Sequence, residues 1–207
     1  MKPPGYRWNS DLCPPIHGVL LPRIIRALEE HCNDHLGRKV FDLGCGNGSV
    51  ANRLSQLGWD VSGVDVSEEG IGVSNSSFPH LNLRVGSAYD DLSALYGQFP
   101  CVISLEVVEH VYSPREYAQT LHSLVAPGGT AIVSTPYHGY RKNLALVLTG
   151  TFDTHFTALW DHGHIKFWSR DTLSELLSEA GFKNIQYVRV GRIPPIAKSM
   201  IAIAQKT

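Results

Sequence analysis

The sequence predicts an α/β protein built on a parallel sheet, and three observations carry that expectation. Short β-rich apolar runs alternate with stretches of helical period, the rhythm of successive strand–helix–strand units. One apolar run ends in Asp42, passes through Gly44, Gly46 and Gly48, and opens a helical pattern. A second acid, Asp65, closes the next apolar run about twenty residues further on. This is the layout of a nucleoside-binding turn at the carboxyl edge of a sheet. Glycines let the backbone turn sharply and lie against a ligand. A carboxylate at Asp65 can accept both hydroxyl protons of a ribose.

The elements follow in order. The first 20 residues, with four prolines, read as an irregular arm, and a helix starts near Pro22, since proline is tolerated at the first helical position, and runs to about Cys32. The first strand spans 39–43. The helix after the glycines buries Val50, Leu54 and Leu57 and stops at Gly58. A strand at 61–64 leads to Ser67-Glu68-Glu69, a helix start with acids in its first turn. Strands at 82–85 and 101–105 come next. Ser113-Pro114-Arg115-Glu116 reads as a capping box for a helix that turns Tyr117, Leu121 and Leu124 inward.

Pro127-Gly128-Gly129 turns the chain into a strand at 130–135. Residues 136–168 differ in texture, rich in aromatics and histidines without strand or helix rhythm. They read as a lid-like insertion over the site, because long non-repetitive loops in compact domains are usually functional. The short apolar stretch 144–148 within them reads as a buried helix or, flanked by Arg141 and Lys142, as a peripheral membrane contact. Ser169 caps a helix that buries Leu173, Leu176, Leu177 and Ala180 and closes at Gly181, and strands at 185–190 and 200–204 finish the chain. The whole reads as one domain over 1–207, with an N-terminal arm and helix at 1–37.

Bulk properties narrow the function. With 18 basic and 19 acidic residues and no run of one sign, nothing forms an electrostatic footprint for nucleic acid, so a small-molecule partner is expected. Cys13, Cys32, Cys45 and Cys101 show neither paired nor ladder spacing and fit a reducing compartment better than a disulfide framework. No apolar run approaches the ~20 residues of a spanning helix, and the start of the chain lacks a signal core. The expectation is a cytoplasmic protein; oligomeric state is not legible.

The glycine turn discriminates between ligands. A dinucleotide turn wants glycine or alanine three positions after the second glycine, but Ser49 stands there and the third glycine comes early, at Gly48; Asp42 would also repel a pyrophosphate. An acid there suits a cation. S-adenosylmethionine has no phosphates, carries an α-ammonium and a sulfonium, and keeps a ribose for Asp65. An NAD(P)-dependent oxidoreductase is the rival enzyme reading, and a non-catalytic S-adenosylmethionine-binding protein is the rival outside enzymology.

Four motifs then fall in order: Asp42-Leu43-Gly44-Cys45-Gly46-Asn47-Gly48, Asp65, Leu105-Glu106-Val107-Val108-Glu109-His110 and Leu124-Val125-Ala126-Pro127-Gly128-Gly129. With them the chain resembles the class I S-adenosylmethionine-dependent methyltransferases from about residue 38 to 135. Within that class it is most similar to the ubiquinone-biosynthesis O-methyltransferase group. The resemblance implies a Rossmann-like three-layer sandwich whose seven-stranded sheet is parallel except for its last strand. It implies contacts from Gly44, Cys45 and Gly46 to the methionine part, Asp42 near the ammonium, and Asp65 with Val66 at the ribose and base. Leu105 and Glu106 would lie beside the reacting methyl. The adenine amino group would fall to Ser87, to Asp90 or to the backbone of Ala88. S-adenosylhomocysteine would be the product.

The implied reaction is an in-line displacement onto a small apolar or aromatic acceptor, with oxygen favoured. An oxygen acceptor needs a base, for which His110 and His138 are the candidates. Metal sites are secondary readings. In the resembled group an E-x-x-E-H run is associated with a divalent ion, which here would put Mg2+ on Glu106 and Glu109, and Asp161, His162 and His164 offer zinc-ligand chemistry. Neither is required by the reaction, and no metal is expected.

Overall fold

A computed structural model describes residues 10–32, 37–156, 158–161 and 163–207. The expected architecture is present. The strands are β1 (Lys39–Leu43), β2 (Asp60–Asp65), β3 (Asn82–Val85), β4 (Phe99–Leu105), β5 (Val125–Pro136), β6 (Lys183–Val190) and β7 (Ser199–Gln205). They form a single seven-stranded sheet in the order β3-β2-β1-β4-β5-β7-β6. β1 to β5 pair in parallel, while β7 runs antiparallel to both β5 and β6. Strand order reverses between β1 and β4, so a crevice opens at their carboxyl ends, where Leu43 and Leu105 lead into loops.

Helices cover both faces. On one lie α1 (Pro15–His31), α2 (Ser49–Ser55) and α3 (Glu68–Ser77), whose Leu20, Ile24, Leu28, Val50, Leu54 and Ile71 pack on Val40, Val61, Ile103 and Ile132. On the other lie α4 (Leu92–Tyr96), α5 (Pro114–Leu124) and α8 (Arg170–Glu179). There Tyr117, Leu121, Leu124, Leu173 and Leu177 close over Phe41, Val102 and Val133. The inward residues expected for α5 and α8 are the ones buried, Ala180 only partly, and each full burial contributes about 1.5–3 kcal/mol.

Several local expectations are corrected. Pro22 does not start a helix. α1 begins at Pro15 and carries Pro22 inside, so helix occupies residues read as irregular arm. α2 ends at Ser55 and Leu57 is 37% exposed, because the chain turns through Gly58 (φ 84°) before the third position of the stripe can face inward. No capping box forms at Ser113. Its side chain makes no cap bond, although its N–H donates to the Tyr89 hydroxyl at 3.0 Å. At Ser169 the cap does form, closed by Thr172.

The insertion is less irregular than its composition suggested. It holds α6 (Tyr140–Leu148) and α7 (Phe152–Phe156), and residues 163–168 form neither helix nor strand. The 144–148 stretch is not buried: Leu144, Val147 and Leu148 are 48%, 58% and 76% exposed. The cysteine reading is also revised. Cys32, just past α1, and Cys101 in β4 form a disulfide across 69 residues, a partnership between α1 and the sheet that spacing alone does not reveal. Cys13 and Cys45 are free. No helix among the described residues is long and apolar enough to cross a membrane.

Candidate active site at the carboxyl edge of the sheet

The glycine turn is built around Asp65. Gly44 and Cys45 donate their N–H groups to Val64 O at 2.8 and 3.0 Å, laying the turn across the end of β2. The Asp65 carboxylate then accepts from Gly46 N (Oδ2, 2.8 Å) and Ser67 N (Oδ1, 2.8 Å). Those bonds fix the carboxylate at the strand end while each oxygen keeps lone pairs for a ligand. Burial raises its pKa, and the same two N–H bonds oppose the shift. Gly44 sits at φ 93°, and a Cβ there would strike the Val107 side chain, so the turn needs glycine both for its backbone and for its neighbour.

Asp42 is only 2% exposed beneath the turn, and burial, reinforced by Asp65, pushes its carboxyl up to about 7. Two neighbouring acids, one buried and one partly so, with no ion pair to Lys or Arg among the described residues, form a place where a cation would be welcome. Asn47 anchors the N-terminal segment over the turn, donating to Ser10 O at 2.9 Å and Leu12 O at 3.0 Å. That brings Pro14, Ile16 and His17 to the same cavity.

After β3, Ser87 and Asp90 are occupied locally. Ser87 N donates to Asp90 Oδ2 at 2.7 Å, and Tyr89 N to Ser87 Oγ at 3.2 Å. Ser87 and Ala88 line the cavity with Val66, which is 71% exposed at its mouth.

At the end of β4, Glu106 adopts φ 57°, unusual for a residue with a side chain and worth roughly 1–3 kcal/mol of strain. β5 holds it there: Glu106 N donates to Ser134 O and Oγ at 3.1 and 3.0 Å, and Ser134 Oγ donates to Glu106 Oε1 at 2.9 Å. Ser199 Oγ reaches Oε2 at 3.4 Å. Burial raises this carboxyl to about 7, against those serines and Lys142.

The insertion is strapped to this loop. Ile165 N and Lys166 N donate to Glu109 O at 2.9 and 3.0 Å, and Trp168 Nε1 to Val108 O at 3.1 Å. His110 Nδ1 lies 3.1 Å from Gly163 O, which makes Nδ1 the protonated nitrogen and Nε2 the ring's acceptor. His138 is buried between Phe156 and Phe167, and burial followed by Lys142 lowers its pKa to about 4.

All twelve residues expected at the site except Asp42 line one cavity of about 1340 Å³, and Asp42 lies beneath it. The usual range for one bound small molecule is about 300–1,000 Å³, so this cavity has room for two. The cavity also draws in residues the sequence did not single out for it: His17 from α1, Lys142 from α6, and Arg192 and Lys198 from the segment between β6 and β7. Lys142, Ala145, Leu146 and Thr149 share one face of α6 by their 3–4 spacing, a stripe that could have been found had 144–148 not been taken as the inward face.

The secondary magnesium reading places the ion on Glu106 and Glu109, and the ligand atoms that cluster are a different set. Glu106 is turned toward Ser134 and Ser199, whereas ligand atoms of Glu109, His110 and His164 lie within 4.8 Å of one another. One carboxylate and two imidazoles do not make an oxygen set for magnesium. Glu109 Oε2 accepts from Thr135 at 3.0 Å and its Oε1 has no hydrogen-bond partner among the described residues, while burial and Glu106 raise its pKa well above the usual range. His164, 3.9 Å from that Oε1, is lowered by burial to about 4, so the contact is not an ion pair at neutral pH. The zinc reading includes His162, which lies outside the described residues.

A glycine turn, a second acid at the next strand and a crevice at the switch point define a nucleoside-cofactor-binding α/β protein. The methyltransferase domain family matches residues 17–187, and the chain belongs to that family. It is 30% identical over 186 residues to the ubiquinone biosynthesis O-methyltransferase of Thiobacillus denitrificans, covering 86% of this chain and 79% of that protein. The corresponding Azoarcus protein is 28% identical over 185 residues, covering 86% and 78%.

Solved structures agree on the fold. Magnesium protoporphyrin IX methyltransferase from Synechocystis, with bound S-adenosylhomocysteine, superposes with a TM-score of 0.65 at 22% identity over 90% of this chain and 82% of that one. A SAM-dependent methyltransferase from Archaeoglobus fulgidus gives 0.68 at 18%, over 90% and 93%. The protein is a methyltransferase, and the oxidoreductase alternative is not favoured.

Proposed function

We propose that this enzyme transfers the methyl group of S-adenosylmethionine to a hydroxyl of a small apolar or aromatic acceptor. The observation that carries the reading is one continuous cavity running from the Gly44–Gly46 turn, past Leu105 and Glu106, to a wall of Trp160, Ile165 and Phe167. The names of the relatives favour oxygen as the attacked atom.

Bound S-adenosylmethionine supplies a methyl group already activated by its sulfonium charge. Asp42 faces the ammonium, Asp65 holds the ribose, and Val66 with the backbone of Ala88 receives the base. Leu105 and Glu106 border the acceptor's approach. The protein's contribution is alignment and exclusion of water. His110 takes the acceptor proton at Nε2, its tautomer set by Gly163 O. We assign His138 to the acceptor wall, because a pKa of about 4 makes it a weak base. The bare outer face of α6, with Tyr140, Leu144, Val147 and Leu148, would rest on a membrane surface from which an apolar acceptor is drawn. Vesicle flotation unchanged by Leu144→Glu with Leu148→Glu would remove that contact.

Transfer of a labelled methyl group from S-adenosylmethionine across a panel of phenols and catechols tests the activity. Product that requires an amine, with no phenolic acceptor methylated, would overturn the oxygen assignment.

A further inference from the structure

The cavity contains a charge that the reading above does not use. Lys142 is 6% exposed, yet among the described residues its ammonium makes one hydrogen bond, to Lys198 O at 3.4 Å. A buried ammonium with donors to spare is costly unless an anion completes its shell. Glu106 faces it, but the Glu106 oxygens already accept from Ser134 and Ser199, and no ion pair closes between them. Arg192 and Lys198 line the same end of the cavity, and Arg192 stands close enough to Lys142 to lower its pKa, after burial itself. His138, His155 and His164 also face this region, and burial lowers the pKa of each, so at neutral pH they add no further positive charge. Three basic side chains thus oppose one carboxyl.

We propose that Lys142 and Arg192 form a subsite for a carboxylate on the methyl acceptor, so that the acceptor is an aromatic or apolar acid rather than a neutral phenol. The placement supports this. Next to Lys142 on the α6 stripe come Ala145 and Leu146, and Ile196 and Phe167 also line the cavity, so an anionic head and an apolar body are both served. An ammonium beside a guanidinium fork suits a planar carboxylate. The methionine carboxylate of the cofactor is the competing anion. The turn assigned to the methionine part lies at the ends of β1 and β2, whereas Lys142 and Arg192 come from α6 and the segment before β7.

This inference rests on the cavity being that of S-adenosylmethionine, and the test separates the two. Calorimetry on protein saturated with S-adenosylhomocysteine would compare 4-hydroxybenzoate with its neutral isostere 4-hydroxybenzamide. The acid should bind at least tenfold tighter. Lys142→Met and, independently, the exposed-site variant Arg192→Gln should each erase that preference while leaving the affinity for S-adenosylhomocysteine within twofold. Equal binding of acid and amide, or binding of neither, would overturn the subsite. A tenfold loss of S-adenosylhomocysteine affinity in both variants would assign the cations to the cofactor instead. Failure of the unaltered protein to bind S-adenosylhomocysteine would strike the functional reading itself.

Discussion

Asp65→Ala is the most informative single change. Its carboxylate has two duties on the same oxygens: it holds the N–H groups of Gly46 and Ser67, both at 2.8 Å, and it offers its remaining lone pairs to the ribose. A hydrogen bond to a charged group contributes about 1.5–3 kcal/mol, so loss of two ribose bonds amounts to about 3–6 kcal/mol, or roughly 10²–10⁴ in affinity. The fold should suffer less. Removing the acid leaves two N–H groups near solvent, but it also removes a buried charge whose pKa is raised by desolvation. Titration calorimetry with S-adenosylhomocysteine, paired with thermal unfolding, separates these effects. The expected result is a dissociation constant weakened at least a hundredfold with the melting transition still cooperative. An unchanged constant would refute the assignment of Asp65 to the ribose, and complete loss of cooperative unfolding would mean that the turn-holding duty dominates.

Three further outcomes follow from the same geometry. Asp42 and Glu106 both titrate near 7 in the folded protein, well above their ordinary values, so the native state holds more protons than the unfolded chain between about pH 4 and 7. Stability of the free protein should therefore be greatest below that window and fall as pH rises through it, while affinity for the cofactor's ammonium rises from pH 6 to 8. Asp42→Asn should reduce the stability trend to the share of Glu106 and flatten the affinity trend, in denaturant titrations and calorimetry, and a free protein that gains stability up to pH 7 would contradict them. Cys32→Ser opens a loop of 69 residues, for which chain entropy gives about 4 kcal/mol, readable as a lower urea midpoint in the absence of reductant; no shift would mean that the disulfide does not form in solution. Hydrogen exchange in residues 136–168 should slow when S-adenosylhomocysteine and an acceptor are both bound, since the bonds that tie this segment to the rest include only a few at Val108, Glu109, His110 and Lys198. Equal and strong protection in the free protein would exclude a closing lid.

Periodicity was legible wherever a strand or helix buries one face on the sheet. Tyr117, Leu121 and Leu124 could be oriented from spacing because the core accepts no other rotation of α5. The glycine turn was legible for a different reason: Gly44 cannot carry a side chain against Val107, so chemistry is written directly into residue type. The acceptor end was not. On α6, Leu144, Val147 and Leu148 face outward while Lys142 faces the cavity with Ala145 and Leu146, so pattern reading placed the wrong face inside. The disulfide and the α1 wall of the cavity were hidden because both depend on contacts across long separations. Pro22 added a false boundary, since its position inside α1 is tolerated. At Glu106 the left-handed backbone is imposed by Ser134, a partner 28 positions away that no local pattern announces.

The central claim is that the crevice between β1 and β4 binds S-adenosylmethionine rather than a dinucleotide. Calorimetric titration of the unaltered protein with S-adenosylhomocysteine and, separately, NADH tests it most directly. The geometry of Asp42, Asp65 and the glycine turn predicts saturable one-to-one binding of S-adenosylhomocysteine and no measurable binding of NADH. Binding of NADH without S-adenosylhomocysteine would contradict it.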